Sequence, residues 1–259
     1  AYADPDSALT MLHTIDRRAL PPAEKAYYAL TYYLAQNKSG LDVANDSLIR
    51  VAYNYYAKLP KDSLYARCMY YMGFYYSLND SLERANYCLK EAQRTAKEQK
   101  DTATLCLAMT RYSWVVRKTH PEAGLEYAKR VLGLYEKYSK RNAFNIVYNT
   151  LMVCECENFC GNPRRAFSLA QQAEKNALAL GDSTVISDVY QDMAYFAVSL
   201  GDKRSTHFAL LSCRYSDTRF VSKRLMLAKA YEKTGNYHEC INLLDTLRLE
   251  NNGQRYEAF

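Results

Sequence analysis

The chain has 259 residues, 49% of them apolar, enough to bury a sizeable core. Nine Gly and six Pro are few for this length and exclude a turn-rich all-β fold. The formal charge of +6 arises from 34 basic and 28 acidic residues mixed along the chain. It reads as a solvated surface, not as the gathered basic stripe of a nucleic-acid binder.

Helix signals run through the sequence. Asp4-Pro5 opens the first helix, with Asp as cap and Pro at the first helical position, and the helix runs to about Arg18. Pro21-Pro22 breaks the chain, and a second helix covers about 22–37 before Ser39-Gly40 ends it. A third runs from Asn45 or Asp46 to about Lys58, ahead of Pro60. Asp62 caps the next, to about Leu78, and Asp80 with Glu83 forms a capping box for its partner. Further helices are expected at about 102–118, 121–138, 141–160, 163–180, 183–200, 203–213, 219–234 and 237–247. Four pairs punctuate the second half: Gly161-Asn162, Gly181-Asp182, Gly201-Asp202 and Gly235-Asn236. Gly takes the left-handed conformation that closes one helix, and Asn or Asp then caps the next. Asn236 with Glu239 repeats the capping box.

No run approaches the ~18 apolar residues that a membrane helix needs, and residues 1–259 do not read as containing a secretion signal. The opening Ala1-Tyr2-Ala3-Asp4 lacks an initiator Met and reads as a processed or trimmed end. The eight Cys form no CxxC pair. Cys156 and Cys160 share a helix face, but the four His lie far apart, so the cysteines read as small packing residues and no metal or cofactor is expected. Tyr is abundant, with 25 copies, many of them paired as at Tyr70-Tyr71 and Tyr75-Tyr76.

The paired helices resemble tetratricopeptide (TPR) repeats, which place small residues where helices cross closely. The clearest matches are Met72-Gly73 with Tyr76, then Ala85, Leu89 and Ala92, and in the last repeat Leu227-Ala228, Tyr231, Gly235-Asn236-Tyr237, Cys240 and Leu244. Gly73, Tyr112, Cys154, Ala194 and Ala228 are equivalent positions, separated by 39, 42, 40 and 34 residues. Cys154, Cys213 and Cys240 fall where slim side chains are wanted. The resemblance implies an all-α fold, a right-handed superhelix of antiparallel helix hairpins (a TPR-like α-solenoid) of about thirteen helices. Residues 1–60 then form an N-terminal helical cap or degenerate repeat, residues 61–250 hold about five repeat pairs, and 251–259 is a frayed tail. The opening Asp4 to Asp16 and Asn45-Asp46-Ser-Leu-Ile-Arg50 are similar to TPR regions of Bacteroidetes exported and envelope proteins, which implies a periplasmic or envelope-anchored location.

The same resemblance places the first helix of each pair on the hollow side of the solenoid. Positions expected there include Arg67, Tyr70, Tyr71, Phe74 and Leu78, then Met109 and Ser113, then Tyr148, Leu151, Met152 and Glu155. Asp188, Gln191, Asp192 and Tyr195 follow, with Leu225, Met226 and Lys229 in the last repeat. Tyr70 and Phe74 stand where the chaperone-tail-binding type keeps a carboxylate clamp, which argues against that ligand. Two readings of the aromatic residues stand side by side: a groove that grips a partner through flat faces and hydroxyl tips, or rings packed between long helices.

No Gly-rich phosphate loop, GxSxG turn or His pair at metal spacing occurs, and an enzyme is not expected. Asp188 and Asp192 share a helix face and read as a solvated or partner-facing acidic stripe. Tyr148-Asn-Thr-Leu151 before the Gly161 turn is similar to one repeat of the pentatricopeptide RNA-binding family, but neighbouring repeats lack the pattern, and no nucleic-acid partner is expected. The reading is a non-catalytic protein-interaction scaffold with a Tyr-rich concave face and a protein or peptide partner, its oligomeric state open. The alternative is a ligand-sensing regulatory module that relays to a fused membrane or DNA-binding output region.

Overall fold

The computed structural model describes residues 4–38, 46–79, 81–138, 143–216 and 221–247. Among these residues there are thirteen α-helices and no strand. No helix among them is long and apolar enough to cross a membrane. The Ser39-Gly40 stop, the Asp80 member of the first capping box and the 251–259 tail lie outside the described residues.

By contact the chain falls into two compact units, Ala1–Val115 and Val116–Phe259. The first holds α1 (Pro5–His13), α2 (Pro22–Lys38), α3 (Ser47–Tyr56), α4 (Ser63–Leu78), α5 (Leu82–Glu98) and α6 (Thr102–Val116), which ends at the boundary. The second holds α7 (Pro121–Tyr138), α8 (Ala143–Phe159), α9 (Pro163–Leu180), α10 (Ser183–Leu200), α11 (Ser205–Tyr215), α12 (Val221–Thr234) and α13 (Tyr237–Asp245).

In the first unit α1 to α5 pack each on the next, and α4 with α5 forms the tightest hairpin. Gly73 on α4 lets Leu89 and Ala85 of α5 approach its backbone, and Ala85, Leu89, Ala92 and Ala96 form the buried stripe that makes this possible. In the second unit α8, α10 and α12 lie side by side, with α9 against α8 and α10, and α11 against α10 and α12. The α9 stripe Ala166, Ala170, Ala173 and Ala177 is fully buried against Val147, Leu151, Val189, Met193 and Phe196. Cys154 and Ala194 are fully buried and Ala228 is 3% exposed, so the expected crossings carry slim residues where backbones meet. Cys213 and Cys240 are only half-buried. The α10–α11 crossing is closed one residue before Cys213, where Ser187 and Ser212 donate to each other's carbonyl oxygens at 2.7 and 2.9 Å.

The helix ends divide by mechanism. Gly161, Gly181, Gly201 and Gly235 all have positive φ, between 64° and 80°, as the punctuation predicts. Asp4, Asp62 and Asp182 cap α1, α4 and α10, each accepting backbone N–H groups of the first turn. Asn162 and Asn236 do not cap α9 and α13 through their side chains, so the second capping box is absent. Their backbone N–H groups instead close the preceding helix, bonding to the Glu157 and Tyr231 carbonyls at 2.9 Å. The Asn162 amide is drawn to the carboxylate of Glu157 at 3.1 Å. That carboxylate is buried and paired with Lys129 of α7 and Arg165 of α9 at 2.9 and 3.3 Å. Burial pushes the Glu157 carboxyl up, but the Lys129 and Asn162 bonds outweigh it and hold it below the ordinary range. The first helix stops at His13, short of the expected Arg18, because Thr14 bonds back to the Met11 carbonyl and Asp16 accepts the Arg18 N–H in a local turn.

Lys100-Asp101 is a further copy of the same stop–start device, with Lys in place of Gly. Lys100 has φ 56°, and Asp101 both closes α5, bonding to the Ala96 carbonyl at 2.8 Å, and caps α6 through Thr104. A side chain in this conformation carries strain of roughly 1–2 kcal/mol, partly offset by the larger unfolded-state freedom of Gly. Lys100→Gly is therefore expected to stabilise the protein by about 0.5–1 kcal/mol, seen as a higher urea midpoint.

Candidate functional site

The first helices of the second unit share a repeat register, so equivalent residues form rows across α8, α10 and α12. One row is Glu155, Tyr195 and Lys229; another is Met152, Asp192 and Met226. Where the helices lie side by side, such rows bring distant residues together.

Asp188 is the hub. The Tyr148 hydroxyl donates to its Oδ2 at 2.6 Å, and Lys223 Nζ donates to its Oδ1, so one carboxylate ties α8, α10 and α12. Lys223 is 5% exposed, and Asp188 is its only ion-pair partner among the described residues. Burial pushes the Tyr148 phenol well up, and the Asp188 charge adds to it. Four residues further along α10, Asp192 is partly buried and accepts no such pairing. Burial raises its carboxyl well above the ordinary range, and the Glu155 and Asp188 charges raise it more, while Lys223 and Arg117 offset part of this. Glu155 is also raised by burial, although Arg117 Nε stands 2.8 Å from its Oε2. The Lys229 ammonium lies 5.7 Å from the Tyr195 ring centre, within cation–π range.

The two acids expected to form a solvated or partner-facing stripe have different surroundings. Asp188 is consumed by an internal tyrosine and lysine, and Asp192 sits among further acids. Tyr148, Met152, Gln191, Asp192 and Tyr195 are partly exposed and Lys229 is exposed, so these expected site residues do present surface on the α8–α10–α12 face. Lys223 and Arg117 were not anticipated. The register held a sign of Lys223: its equivalents Asn149 and Val189 are both buried, and a lysine in a buried column requires an acid nearby.

The expected residues of the first unit divide differently. Tyr70, Tyr71 and Met109 are buried, at 7, 2 and 2% exposure, and serve as packing. Tyr71 meets Tyr33 edge-on at 5.4 Å, and Tyr70 lies against Tyr71 at 4.8 Å. Arg67 and Phe74 keep partial exposure, and Arg67 stands 4.0 Å from Asp101. The Arg111 guanidinium lies over Phe74 at 4.2 Å and over Trp114 at 4.4 Å, with its Nε bonded to the Ser77 hydroxyl at 2.7 Å. A cavity of about 350 Å³ opens beside Tyr53, Met69, Met72, Tyr76, Arg84 and Tyr87.

All eight cysteines are free thiols. Burial pushes Cys68 to about 12 and Cys88 and Cys106 to about 11, which keeps them protonated and unreactive. Among the described residues no group of three or more His, Cys, Asp or Glu is placed to hold a metal ion.

No family model matches the sequence, and no curated protein matches it. Solved structures do. The chain is similar to a Rap protein complexed with competence and sporulation factor, with a TM-score of 0.72 at 14% identity, covering 100% of this chain and 78% of that one. It is similar to NprR in complex with its cognate peptide NprX, with a TM-score of 0.72 at 15% identity, covering 99% of this chain and 81% of that one. It is also similar to a signal transduction ATPase with a tetratricopeptide repeat sensor from Pyrococcus horikoshii, with a TM-score of 0.67 at 16% identity, covering 93% of this chain and 37% of that one. The crowded hairpins, slim crossings and repeat register thus belong to an all-α, TPR-like helical-repeat fold.

Proposed function

We propose that this chain is a non-catalytic peptide-binding module and that the α8–α10–α12 face holds the peptide. The observation that carries the reading is the half-exposed band of Tyr148, Met152, Gln191, Asp192 and Tyr195 across adjacent first helices, anchored from below by the Asp188–Lys223 pair. Aromatic and Met side chains supply apolar contact to an extended segment, while Gln191 and Asp192 offer polar groups to its backbone and side chains. One of the similar structures was solved with its cognate peptide and another with competence and sporulation factor, which supports this choice over a flat scaffold surface. Similarity to a repeat sensor within a signalling ATPase favours a sensing role as the second reading. An output region fused to this chain in the full-length protein would separate the two. The envelope location implied by the resemblance belongs to the same proposal and is tested by fractionating cells that produce the native protein.

The experiment is selection of a random peptide library on the immobilised protein, followed by titration of the enriched peptides. Tyr195→Ala combined with Met152→Ala is expected to weaken those peptides about ten-fold or more, with the helical circular dichroism unchanged. No enriched sequence, or equal binding to both proteins, contradicts the reading.

A further inference from the structure

A second polar site lies away from the α8–α10–α12 face, between the α10–α11 and α12–α13 turns. A cavity of about 380 Å³ is lined there by Lys203, Ser205, Thr206, Lys233, Thr234 and Asn236, together with Asp202. Its electrostatics favour an anion. Lys203 and Lys233 both line the opening, so two cationic side chains border it. Lys233 also meets Glu232 at 3.4 Å, an exposed pair that water screens and an anion can displace. The one acid in the lining, Asp202, is already neutralised: Arg204 binds both its oxygens through Nε and Nη2, at 2.6–3.1 Å, and holds its carboxyl below the ordinary range.

The cavity floor is the start of α11, a helix of eleven residues that no side chain caps. Its first regular bond is from the Phe208 N–H to the Arg204 carbonyl, and Ser205 N–H bonds to Asp202, which leaves the Thr206 and His207 amides without a protein acceptor among the described residues. Ser205 is 1% exposed, lines the cavity, and its hydroxyl has no hydrogen-bond partner among the described residues. A buried hydroxyl lacking a partner is costly unless something else meets it. Two bordering lysines, an unpaired hydroxyl and uncapped amides at a helix start together match the donor demand of a tetrahedral oxyanion.

The geometry points to this cavity as a binding site for a phosphate group, carried either by inorganic phosphate or by a lipid headgroup. The test uses the full chain and inorganic phosphate as probe, with chloride at equal ionic strength as reference. Phosphate is expected to raise the melting temperature of the unaltered protein saturably. Lys203→Ala with Lys233→Ala should keep the melting temperature seen in chloride but bind phosphate about ten-fold more weakly or worse. Ser205→Ala, a smaller change, should weaken binding without removing it. Vesicles containing phosphatidic acid separate the sources. Retention on them that inorganic phosphate displaces assigns the group to lipid, and saturable phosphate binding without retention assigns it to the free ion. No phosphate-specific rise, an equal rise in the double lysine variant, or vesicle retention that phosphate does not displace overturns the proposal.

Discussion

Lys223→Met is expected to destabilise the second unit by about 2–4 kcal/mol, because it removes one side of an internal ion pair and leaves the other in place. Met fills a similar volume, so the loss is electrostatic. Asp188 would keep only the Tyr148 hydroxyl at 2.6 Å, with the Asp192 carboxyl one turn further along α10. The pH dependence follows from the raised carboxyls. Asp192 and Glu155 hold protons in the folded chain at pH values where the unfolded chain has lost them. The folded state therefore binds more protons, and stability falls as pH rises from the unfolded carboxylate value, ~4, through the folded value. Removing Lys223 raises the Asp192 carboxyl further, so the deficit of the variant should be larger at pH 7.5 than at pH 5. Asp192→Asn removes the repelled group, and should both stabilise the unaltered protein at neutral pH and recover part of the Lys223→Met loss. Urea unfolding followed by circular dichroism at the two pH values measures all four proteins. Additive effects of the two substitutions would show that the charges do not interact.

Gly73→Val should cost about 3 kcal/mol or more, and Gly73→Ala about 1–3. A Cβ at this position would stand 2.7 Å from Leu89 Cγ, 2.9 Å from its Cδ2 and 3.3 Å from the Ala85 carbonyl oxygen. Leu89 is fully buried, so its branch point cannot swing aside, and the backbone oxygen can yield only if α4 and α5 separate. Ala would otherwise gain ~1 kcal/mol over Gly inside a helix, and the clash has to exceed that gain. Gly133 is the control. It lies on α7, where an added Cβ would meet nothing within 4 Å, so Gly133→Ala should stabilise by about 0.5–1 kcal/mol. The sole tryptophan, Trp114, lies in the same unit as Gly73, and its fluorescence during urea unfolding reads that unit. An unchanged midpoint for Gly73→Ala would mean that the α4–α5 crossing has slack.

Much of the architecture was legible because its causes are local. A helix closed by a left-handed residue needs only that residue and the backbone bond beyond it, so four Gly pairs marked four boundaries. Lys100 carries no such mark, because there the same conformation is taken by a residue that normally avoids it. Asn162 departs from the expected capping for a different reason. A short polar side chain before a helix favours capping, but the buried Glu157 carboxylate, reached only when α7, α8 and α9 meet, offers its amide a stronger partner. Among the candidate residues, the register identified which helices present surface but not how far each side chain emerges. Tyr70 and Tyr71 went into the packing, whereas Tyr148 and Tyr195, also expected on the hollow side, kept an exposed edge.

By itself, the sequence determined the helix hairpins, their spacing and the slim residues at Gly73, Cys154, Ala194 and Ala228, since periodicity and steric limits act between neighbours along the chain. Only the tertiary structure decided which polar groups lose water and which charges meet. Asp188 and Lys223 are 35 residues apart in sequence, and nothing in either local segment names the other. Desolvation and Coulomb attraction depend on distances that exist only after the helices have stacked, and so the character of the face emerged with the packing.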